Sequence, residues 1–422
     1  MKRELRQFLK GILVMLLLAM KLLPCAAIGA YGAVDFTRLT NRNGLSNSQV
    51  NAIFKDQQGY VWFGTQSGLD RFDGFRMKAF LYDDGNPNSI PNNSVDEIQQ
   101  AIDGSLWIHT SVGYCIYQYD KERFDRKPEE WLKTIGVDGP PYKLLIDSKK
   151  NMWMSVYGQG IYFVDVKNMT AFLFPFSKKK SGSSLPDYQV SCIREDNGQA
   201  VVTFDNGIIC KLDGYGQQVV WMDRFICDNK LSTDRSVFTF VDSKNNYWVN
   251  TNLGIYVYHQ VLKKWFVGAK SYLATFGMDM PAYPGSKMMI RDMAKDKQGH
   301  MWIATDHNGL IYLDYARKIF RQFVYNPNDK GSISDNSLPE LYVDESDALW
   351  VGTYKNGVNY YSASSTKFYT IPLGDVCTIT QDLNGNLWCG TNDEGIVVYN
   401  PTTGLSSRFH GAQTGLGSEV VV

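Results

Sequence analysis

Histidine is scarce in this chain, and neither sign of charge is in excess. Five of its 422 residues are histidine, and Lys plus Arg and Asp plus Glu both number 43. The zero net charge argues against nucleic-acid binding, which needs a basic surface. The few histidines limit metal and acid–base chemistry, so an enzyme would have to rely on carboxylates or hydroxyls. General disorder is excluded because 44% of the residues are apolar and only 14 are proline.

Cysteine is also infrequent, and its spacing carries no metal-binding pattern. None of the seven cysteines forms a C-x-x-C pair, and no histidine lies at zinc-finger spacing. Most of them sit in apolar, strand-like runs, as Cys389 does after Leu387 and Trp388. We therefore expect small buried side chains rather than a disulfide framework, and no metal or cofactor.

Only the N-terminus contains a long apolar run. Residues 11–20 are apolar after a basic start that includes Lys2 and Arg3, and small residues follow at 25–27. This order is typical of a secretory signal peptide, predicted here over residues 1–27. The run is shorter than the roughly 20 residues of a membrane span, so an uncleaved anchor is the weaker alternative. The rest of the chain is predicted to be exported.

One motif repeats along the chain with a period of about 47 residues. Its first copy has Asp56, Gly59, Trp62, Gly64 and Thr65, and a copy without tryptophan covers residues 196–203. A repeated aromatic residue of this kind is first of all a packing device. Seven of the ten tryptophans occupy the same position of the repeat: Trp62, Trp107, Trp153, Trp248, Trp302, Trp350 and Trp388.

Four short strands in each repeat predict an all-β fold, a β-propeller of four-stranded blades with essentially no helix beyond Leu39. We expect seven blades over residues 34–363 and the first blade of an incomplete second propeller over residues 364–422. Residues 35–39 are predicted to close the ring by pairing with the last blade. A single eight-bladed ring is the alternative.

An aspartate recurs before a turn in most repeats. The residue type suits a side chain that bonds its own turn backbone, whereas calcium would need several converging oxygens. We therefore predict turn chemistry rather than a calcium site. The aspartates concerned are Asp56, Asp103, Asp147, Asp242, Asp296, Asp344 and Asp382.

Residues 44–50, the Asp56–Thr65 motif and the Gly68-Leu69-x-Arg71-Phe72 segment together resemble the regulator-propeller repeat of bacterial sensors. An Asn-Pro-Asn segment at 86–88, echoed at 326–328, is also similar to that family. The resemblance implies two propellers outside the inner membrane, followed by a membrane helix and a histidine kinase. Such hybrid two-component sensors detect glycan breakdown products and switch on genes.

By that resemblance, the chain is the N-terminal, periplasmic, oligosaccharide-sensing part of such a kinase. Its expected partners are the ligand, a second propeller, the kinase and a second copy of the full-length protein. The chain itself is expected not to be an enzyme, because it has no Gly-rich phosphate loop. The alternative is a secreted propeller lyase or hydrolase, for which Asp306 and Asp205 are the carboxylates to inspect.

Turns between the second and third strands are predicted to surround one mouth of the propeller. Their amides, charges and tyrosines suit a carbohydrate, although such residues also simply fit exposed turns. Two longer loops, 139–142 and 270–287, would either cover this mouth or pack against a neighbouring propeller. The candidate ligand-binding residues are Tyr157, Gln159, Asp205, Asn206, Asn252, Asp306, His307, Asn308, Tyr354, Lys355 and Asn356.

Overall fold

The computed structural model describes residues 34–177, 184–281, 288–362, 371, 373–401, 405–409 and 420–421. The predicted signal peptide lies outside these residues. The chain divides into two compact units, Val34–Ala363 and a second that includes Ser364–Val422. No helix of the described part is long and apolar enough to span a membrane.

Short strands joined by tight turns build seven sheets in the first unit, numbered here in chain order. Neighbouring strands are antiparallel, except that β14 pairs in parallel with β13. Sheet 1 contains β2 (Val50–Lys55), β3 (Val61–Thr65), β4 (Gly68–Phe72) and β5 (Met77–Phe80), and sheet 2 contains β6 (Val95–Gln100), β7 (Leu106–Thr110), β8 (Gly113–Gln118) and β9 (Arg123–Asp125). Sheet 3 contains β10 (Pro141–Ile146), β11 (Met152–Val156), β12 (Gly160–Asp165), β13 (Thr170–Ser177) and β14 (Leu185–Pro186), and sheet 4 contains β15 (Val190–Asp196), β16 (Gln199–Phe204), β17 (Ile209–Asp213) and β18 (Gln218–Asp223). Sheet 5 contains β19 (Phe238–Val241), β20 (Tyr247–Thr251), β21 (Gly254–His259) and β22 (Lys264–Val267), sheet 6 contains β23 (Met289–Lys295), β24 (Met301–Asp306), β25 (Leu310–Asp314) and β26 (Ile319–Phe323), and sheet 7 contains β27 (Glu340–Val343), β28 (Leu349–Gly352), β29 (Val358–Tyr361) and β1 (Thr37–Leu39).

The seven sheets form a closed ring. Their first strands contact one another in chain order, and β27 of sheet 7 contacts β2 of sheet 1. The N-terminal strand β1 completes sheet 7 by pairing with β29, with Arg38 opposite Asn359. This pairing confirms the predicted role of residues 35–39. The second strands are buried on both faces, as β3 and β20 are throughout, because a sheet packs on each side of them.

An eighth sheet belongs to the second unit. Its tryptophan, Trp388, is 36% exposed, whereas Trp62 is fully buried in sheet 1. A small apolar cluster around Leu373, Cys389 and Val397 holds the sheet together. Its strands are β30 (Val376–Gln381), β31 (Leu387–Thr391), β32 (Ile396–Tyr399) and β33 (Ser406–Phe409).

The all-β class is confirmed, with 6% helix. The short helices lie mainly in connections between sheets and were not predicted. Pro128 at the first turn, followed by Glu129 and Glu130, is a helix-start signal that the strand pattern obscured. The helices are α1 (Pro128–Thr134), α2 (Phe225–Asp228) and α3 (Ala269–Leu273), with 3₁₀ turns at Asn41–Asn43 and Ala274–Phe276.

The recurring aspartate bonds its own turn, as predicted. In sheet 1, Asp56 Oδ1 accepts hydrogen bonds from the backbone nitrogens of Gln58 and Tyr60. Its Oδ2 also accepts from Trp62 Nε1 at 2.6 Å, so one carboxylate joins the turn to the core. Asp103 is the exception: it lies four residues before its tryptophan, not six, and accepts only from Ser105 among the described residues. The same Trp–Asp bond occurs in sheets 3, 5, 7 and 8.

The first longer loop lies against the turn between the second and third strands of sheet 3, where Gln159 Nε2 donates to the carbonyl of Asp138. Pro141 and Tyr142 belong to β10 itself. In the described part of 270–287, Tyr272 is fully buried and its hydroxyl donates to Asp242 Oδ2 at 2.6 Å. Asp242 lies in the turn between the first two strands of sheet 5, at the end of the sheet opposite the predicted mouth. The loop therefore packs between sheets 5 and 6.

Candidate functional site

A polar cavity of ≈ 890 Å³ opens at the end of the ring that carries the turns between second and third strands. We call this end the rim, and the cavity the 6–7 cleft, because it lies between the rim turns of sheets 6 and 7. Five of the predicted ligand-binding residues meet there. Its lining is Arg38, Thr40, Gln49, Arg291, Asp306, His307, Tyr325, Ser334, Asp335, Asn336, Ser337, Tyr354, Lys355 and Asn356.

Arg291 supplies the central positive charge of the cleft. The register of β23 shifts between Ile290 and Asp292, so Arg291 is the extra residue of a β-bulge. A bulge redirects a side chain from the regular strand pattern. Here the guanidinium Nη2 bonds Asp306 Oδ2 at 2.5 Å, and its centre lies 6.0 Å from the ring centroid of Tyr354.

Asp306 is held as a carboxylate by its neighbours. Its other oxygen lies 2.8 Å from Nδ1 of His307, an exposed residue with φ of 69°. Burial tends to raise the pKa of Asp306, but hydrogen bonds from Arg291 and Ser337 outweigh it and lower that pKa. A carboxylate with a lowered pKa is suited to holding a donor in place and poorly suited to general acid catalysis.

The sheet 7 turn places Tyr354, Lys355 and Asn356 on the opposite wall. The Asn356 amide donates to the carbonyl of Ser334 at 2.8 Å, and Thr353 Oγ1 donates to the carbonyl of Gly357 at 2.8 Å. These bonds fix the turn and leave the Lys355 side chain exposed. The threonine of the repeat therefore fixes the conformation of the turn that forms this part of the rim.

A smaller cavity of ≈ 290 Å³ adjoins the cleft and shares Arg291 and Tyr354 with it. The predicted residue Asn252 lines it. Both ends of the Asn252 amide bond Thr233, with Nδ2 at 2.6 Å from Thr233 Oγ1. The two cavities therefore lie side by side over sheets 5 to 7.

The other predicted residues lie elsewhere on the rim, are buried, or bond other groups of the protein. Tyr157 is 66% exposed and stacks on Tyr142 with ring centroids 4.2 Å apart, on sheet 3. The remaining predicted residues are outside both cavities: Gln159 bonds Tyr162 and Asp138, Asp205 pairs with Arg235 at 3.6 Å, Asn206 accepts from the backbone of Ile208, and Asn308 is 8% exposed.

Sequence reasoning missed Arg38, Arg291 and Asp335. It considered only the turns between second and third strands, whereas these residues come from β1, from a bulge and from the connection between sheets 6 and 7. Aligning residues 325–338 with 82–95 would have exposed Asp335 as a charged replacement of Asn92. No group of three or more His, Cys, Asp or Glu side chains in the described residues could hold a metal ion.

A closed ring of seven sheets, six of four strands and one of five, with a polar cleft at one end, defines a β-propeller. The family model of the two-component regulator propeller matches residues 44–67 and 284–307 of the chain. The resemblance noted in the sequence is thereby confirmed.

Relatives extend this likeness beyond the repeat. The chain is 26% identical over 348 residues to Histidine kinase P4 of Formosa agariphila; the match covers 77% of this chain and 24% of that protein. The chain thus spans about a quarter of its curated relative.

Solved structures show the same fold. The extracellular domain of BT3049 from B. thetaiotaomicron, named as a hybrid two component system, matches with a TM-score of 0.63 and 21% identity, covering 90% of this chain and 50% of that one. The extracellular domain of BT4673 from the same organism gives a TM-score of 0.57 at 17% identity, over 91% and 48% of the two chains.

Proposed function

We propose that this chain is the ligand-sensing region of a two-component signalling protein and that it binds an oligosaccharide in the 6–7 cleft. The proposal includes a periplasmic location, signalling across the inner membrane to transcription, and a homodimeric full-length protein. The convergence of predicted rim residues into one cleft is the observation that carries it.

The chemistry of the cleft suits a sugar. Tyr354 and Tyr325 offer aromatic rings on which the apolar face of a pyranose can stack, and Tyr325 is 43% exposed. Amide, hydroxyl and charged groups surround them and can bond hydroxyls from several directions. A cleft of ≈ 890 Å³ has room for two or more sugar units.

The enzyme alternative receives less support from the geometry. Asp306 is bonded to Arg291 and His307, while Asp205 lies on sheet 4, outside the cleft lining, and pairs with Arg235. Hydrolysis by paired carboxylates needs both groups around one sugar bond. These two aspartates are committed to different partners in different rim turns.

The first test is a thermal-shift and calorimetric screen with cellobiose, xylobiose, laminaribiose, mannobiose, maltose and digalacturonate. We expect at least one disaccharide to bind and Tyr354→Ala to weaken it about tenfold, the effect of a lost stacking contact. Tyr157→Ala, which removes an exposed rim tyrosine outside the cleft, should change the affinity less than about twofold. Equal loss in both variants, or loss only in Tyr157→Ala, would contradict the cleft as the site.

A reducing-sugar and unsaturated-product assay on the same disaccharides separates sensor from enzyme. We expect no turnover by the wild-type chain. Product that disappears in Asp306→Ala or Asp205→Ala would establish the hydrolase or lyase instead.

A further inference from the structure

Two connections in the ring have the same structure and provide an internal comparison. Residues 82–95 join sheets 1 and 2, and residues 325–338 join sheets 6 and 7. The backbone nitrogen of Tyr82 bonds Asn93 Oδ1 at 2.7 Å, and that of Tyr325 bonds Asn336 Oδ1 at 2.7 Å. Each connection also contains one serine hydroxyl, Ser89 or Ser332, that closes its loop. Because the two backbones make the same hydrogen bonds, the connections differ in their side chains.

An arginine braces each connection, but only one of them is fully bonded. Arg126 donates from Nε to the Ser89 carbonyl at 2.9 Å, and from Nη2 to the Ser89 hydroxyl at 2.7 Å. Arg38 donates from Nη2 to the Ser332 carbonyl at 3.0 Å. Its Nε is buried and has no hydrogen-bond partner, although Arg38 lines the 6–7 cleft.

The second difference is a carboxylate in place of an amide. Asn92 Oδ1 accepts from the backbone of Ser94 at 2.8 Å, and Asp335 Oδ1 accepts from that of Ser337 at 3.1 Å. Asp335 Oδ2 is buried without a partner, and Asp335 is one of the residues that line the cleft. One guanidinium donor and one carboxylate acceptor thus remain unsatisfied on two residues of the same cleft wall, and buried polar groups normally have partners.

We propose that Arg38 and Asp335 form a hydroxyl-binding subsite that takes a neutral sugar unit with two neighbouring hydroxyls. A hydroxyl oxygen can accept from Arg38 Nε, and a hydroxyl proton can be donated to Asp335 Oδ2, so neighbouring hydroxyls satisfy both groups. A carboxylate ligand would bond Arg38 but be repelled by Asp335. A cationic ligand would be attracted by Asp335 but repelled by Arg38. This inference rests on the proposed function and adds the chemistry that selects the ligand.

Binding at this subsite is coupled to closure of the ring. Arg38 lies on β1, which is held to sheet 7 by pairing over only Thr37–Leu39. Asp335 lies on the connection between sheets 6 and 7. A sugar bonded to both side chains links the closing strand to that connection, and by reciprocity a well-docked β1 favours sugar binding.

The test uses calorimetry on the full 422-residue chain with the disaccharides of the screen. Asp335→Asn gives the cleft the amide of the matched connection and keeps the Oδ1 bond to Ser337. We expect the best neutral disaccharide to bind about tenfold more weakly to this variant, the effect of one lost charge-assisted bond. The matched control, Asn92→Asp, should leave its affinity within about twofold of wild type. Hydrogen exchange of Thr37–Leu39 should slow when that disaccharide is added.

The results that would contradict the subsite differ from those that would contradict the proposed function. Unchanged affinity in Asp335→Asn, together with weaker binding in Tyr354→Ala, overturns the subsite and leaves the proposed function standing. Absence of binding by every disaccharide overturns both. Binding of digalacturonate alone, strengthened in Asp335→Asn, overturns the neutral-sugar chemistry. A structure of the complex in which Arg38 Nε and Asp335 Oδ2 contact only water would also overturn the subsite. If Asp335→Asn does not fold, the same comparison can be made with Arg38→Lys as the test variant and Arg126→Lys as its control.

Discussion

Asp242 shows how a single side chain joins two sheets. Its Oδ2 accepts from Trp248 Nε1 at 3.0 Å within sheet 5 and from the Tyr315 hydroxyl at 3.1 Å on sheet 6. The Tyr272 hydroxyl from α3 is a third donor. Burial, followed by the negative charge of Asp242, raises the pKa of Tyr272, which keeps this phenol a donor. The equivalent Asp56 accepts from Tyr119 of the next sheet, so this link between sheets recurs.

Replacing Asp242 should be costly. Asp242→Ala would remove the acceptor shared by the buried donors of Trp248, Tyr272 and Tyr315, and we expect a loss of about 3–5 kcal/mol in the free energy of unfolding. The measurement is urea unfolding followed by tryptophan fluorescence. Asp103→Ala is the control, because Asp103 caps an exposed turn, and it should cost less than about 1 kcal/mol. A loss for Asp242→Ala no larger than the control would contradict this account.

At the scale of elements, the first strands bring charged side chains together in the channel of the ring. Glu340 on β27 faces Arg194 of β15, Asp292 of β23 and Glu97 of β6. Burial and then the negative charge of Asp292 raise the pKa of Glu340, although the positive charge of Arg194 opposes the shift. Asp292 is also fixed by its neighbour, since its Oδ2 accepts from the backbone of Leu341 at 3.1 Å.

The raised pKa of Glu340 predicts the direction of a pH effect. The folded chain retains a proton that the unfolded chain releases above its ordinary pKa of about 4.3. Stability should therefore fall as pH rises from there towards the folded pKa. Glu340→Gln cannot release a proton, so its thermal midpoint should fall less between about pH 5 and pH 8 and exceed that of wild type at the higher pH.

Differential scanning calorimetry across that pH range provides the measurement. Glu130→Gln, on the exposed face of α1, is the control and should keep the wild-type slope. A Glu340→Gln midpoint below wild type at pH 8, with an unchanged slope, would show that the carboxyl is ionised in the folded chain.

The closing strand makes a separate prediction. Phe36 precedes β1, is 4% exposed, and its ring centroid lies 6.0 Å from that of Tyr361 and 6.2 Å from that of Phe323. Phe36→Ala should cost about 3 kcal/mol of unfolding free energy, because it leaves a cavity between sheets 6 and 7. Phe75→Ala, at a site that is 95% exposed, should cost almost nothing in the same urea experiment. Similar stability of both variants would mean that β1 contributes little to closure.

At the scale of the whole molecule, sheet 8 differs from the sheets of the ring. Leu383 and Ile379 are exposed on it, as is part of Trp388. We propose that further blades cover this sheet in the parent protein, as expected for the start of a second propeller. Limited proteolysis should then remove residues after about 363 first and leave a resistant fragment that ends near residue 365. Equal protection of sheet 8 would contradict that proposal.

The repeat predicted the strands, the closing strand and the aspartate turns, because each depends on a local pattern that recurs. Asp103 bonds its own turn as predicted but does not reach Trp107, because the aspartate must lie six residues before tryptophan for its Oδ2 to reach Nε1. The cleft could not be predicted in the same way. Arg291 reaches it through a bulge that recurs near the start of the first strand in sheets 1, 2, 3, 4, 6 and 8, and that the sequence motif did not reveal. Arg38 comes from a strand about 250 residues earlier in the chain, so its meeting with Arg291 depends on ring closure rather than on a local pattern.

Hydrogen–deuterium exchange of the chain, with and without the disaccharide that stabilises it most, tests the central claim most directly. If the 6–7 cleft binds the sugar, exchange should slow in residues 289–291, 305–309, 334–338 and 353–357. Residues 157–160 of sheet 3 and the opposite turns around Asp56 and Asp242 should exchange as before. Protection confined to those other segments, or no protection at all, would contradict the cleft as the sensing site.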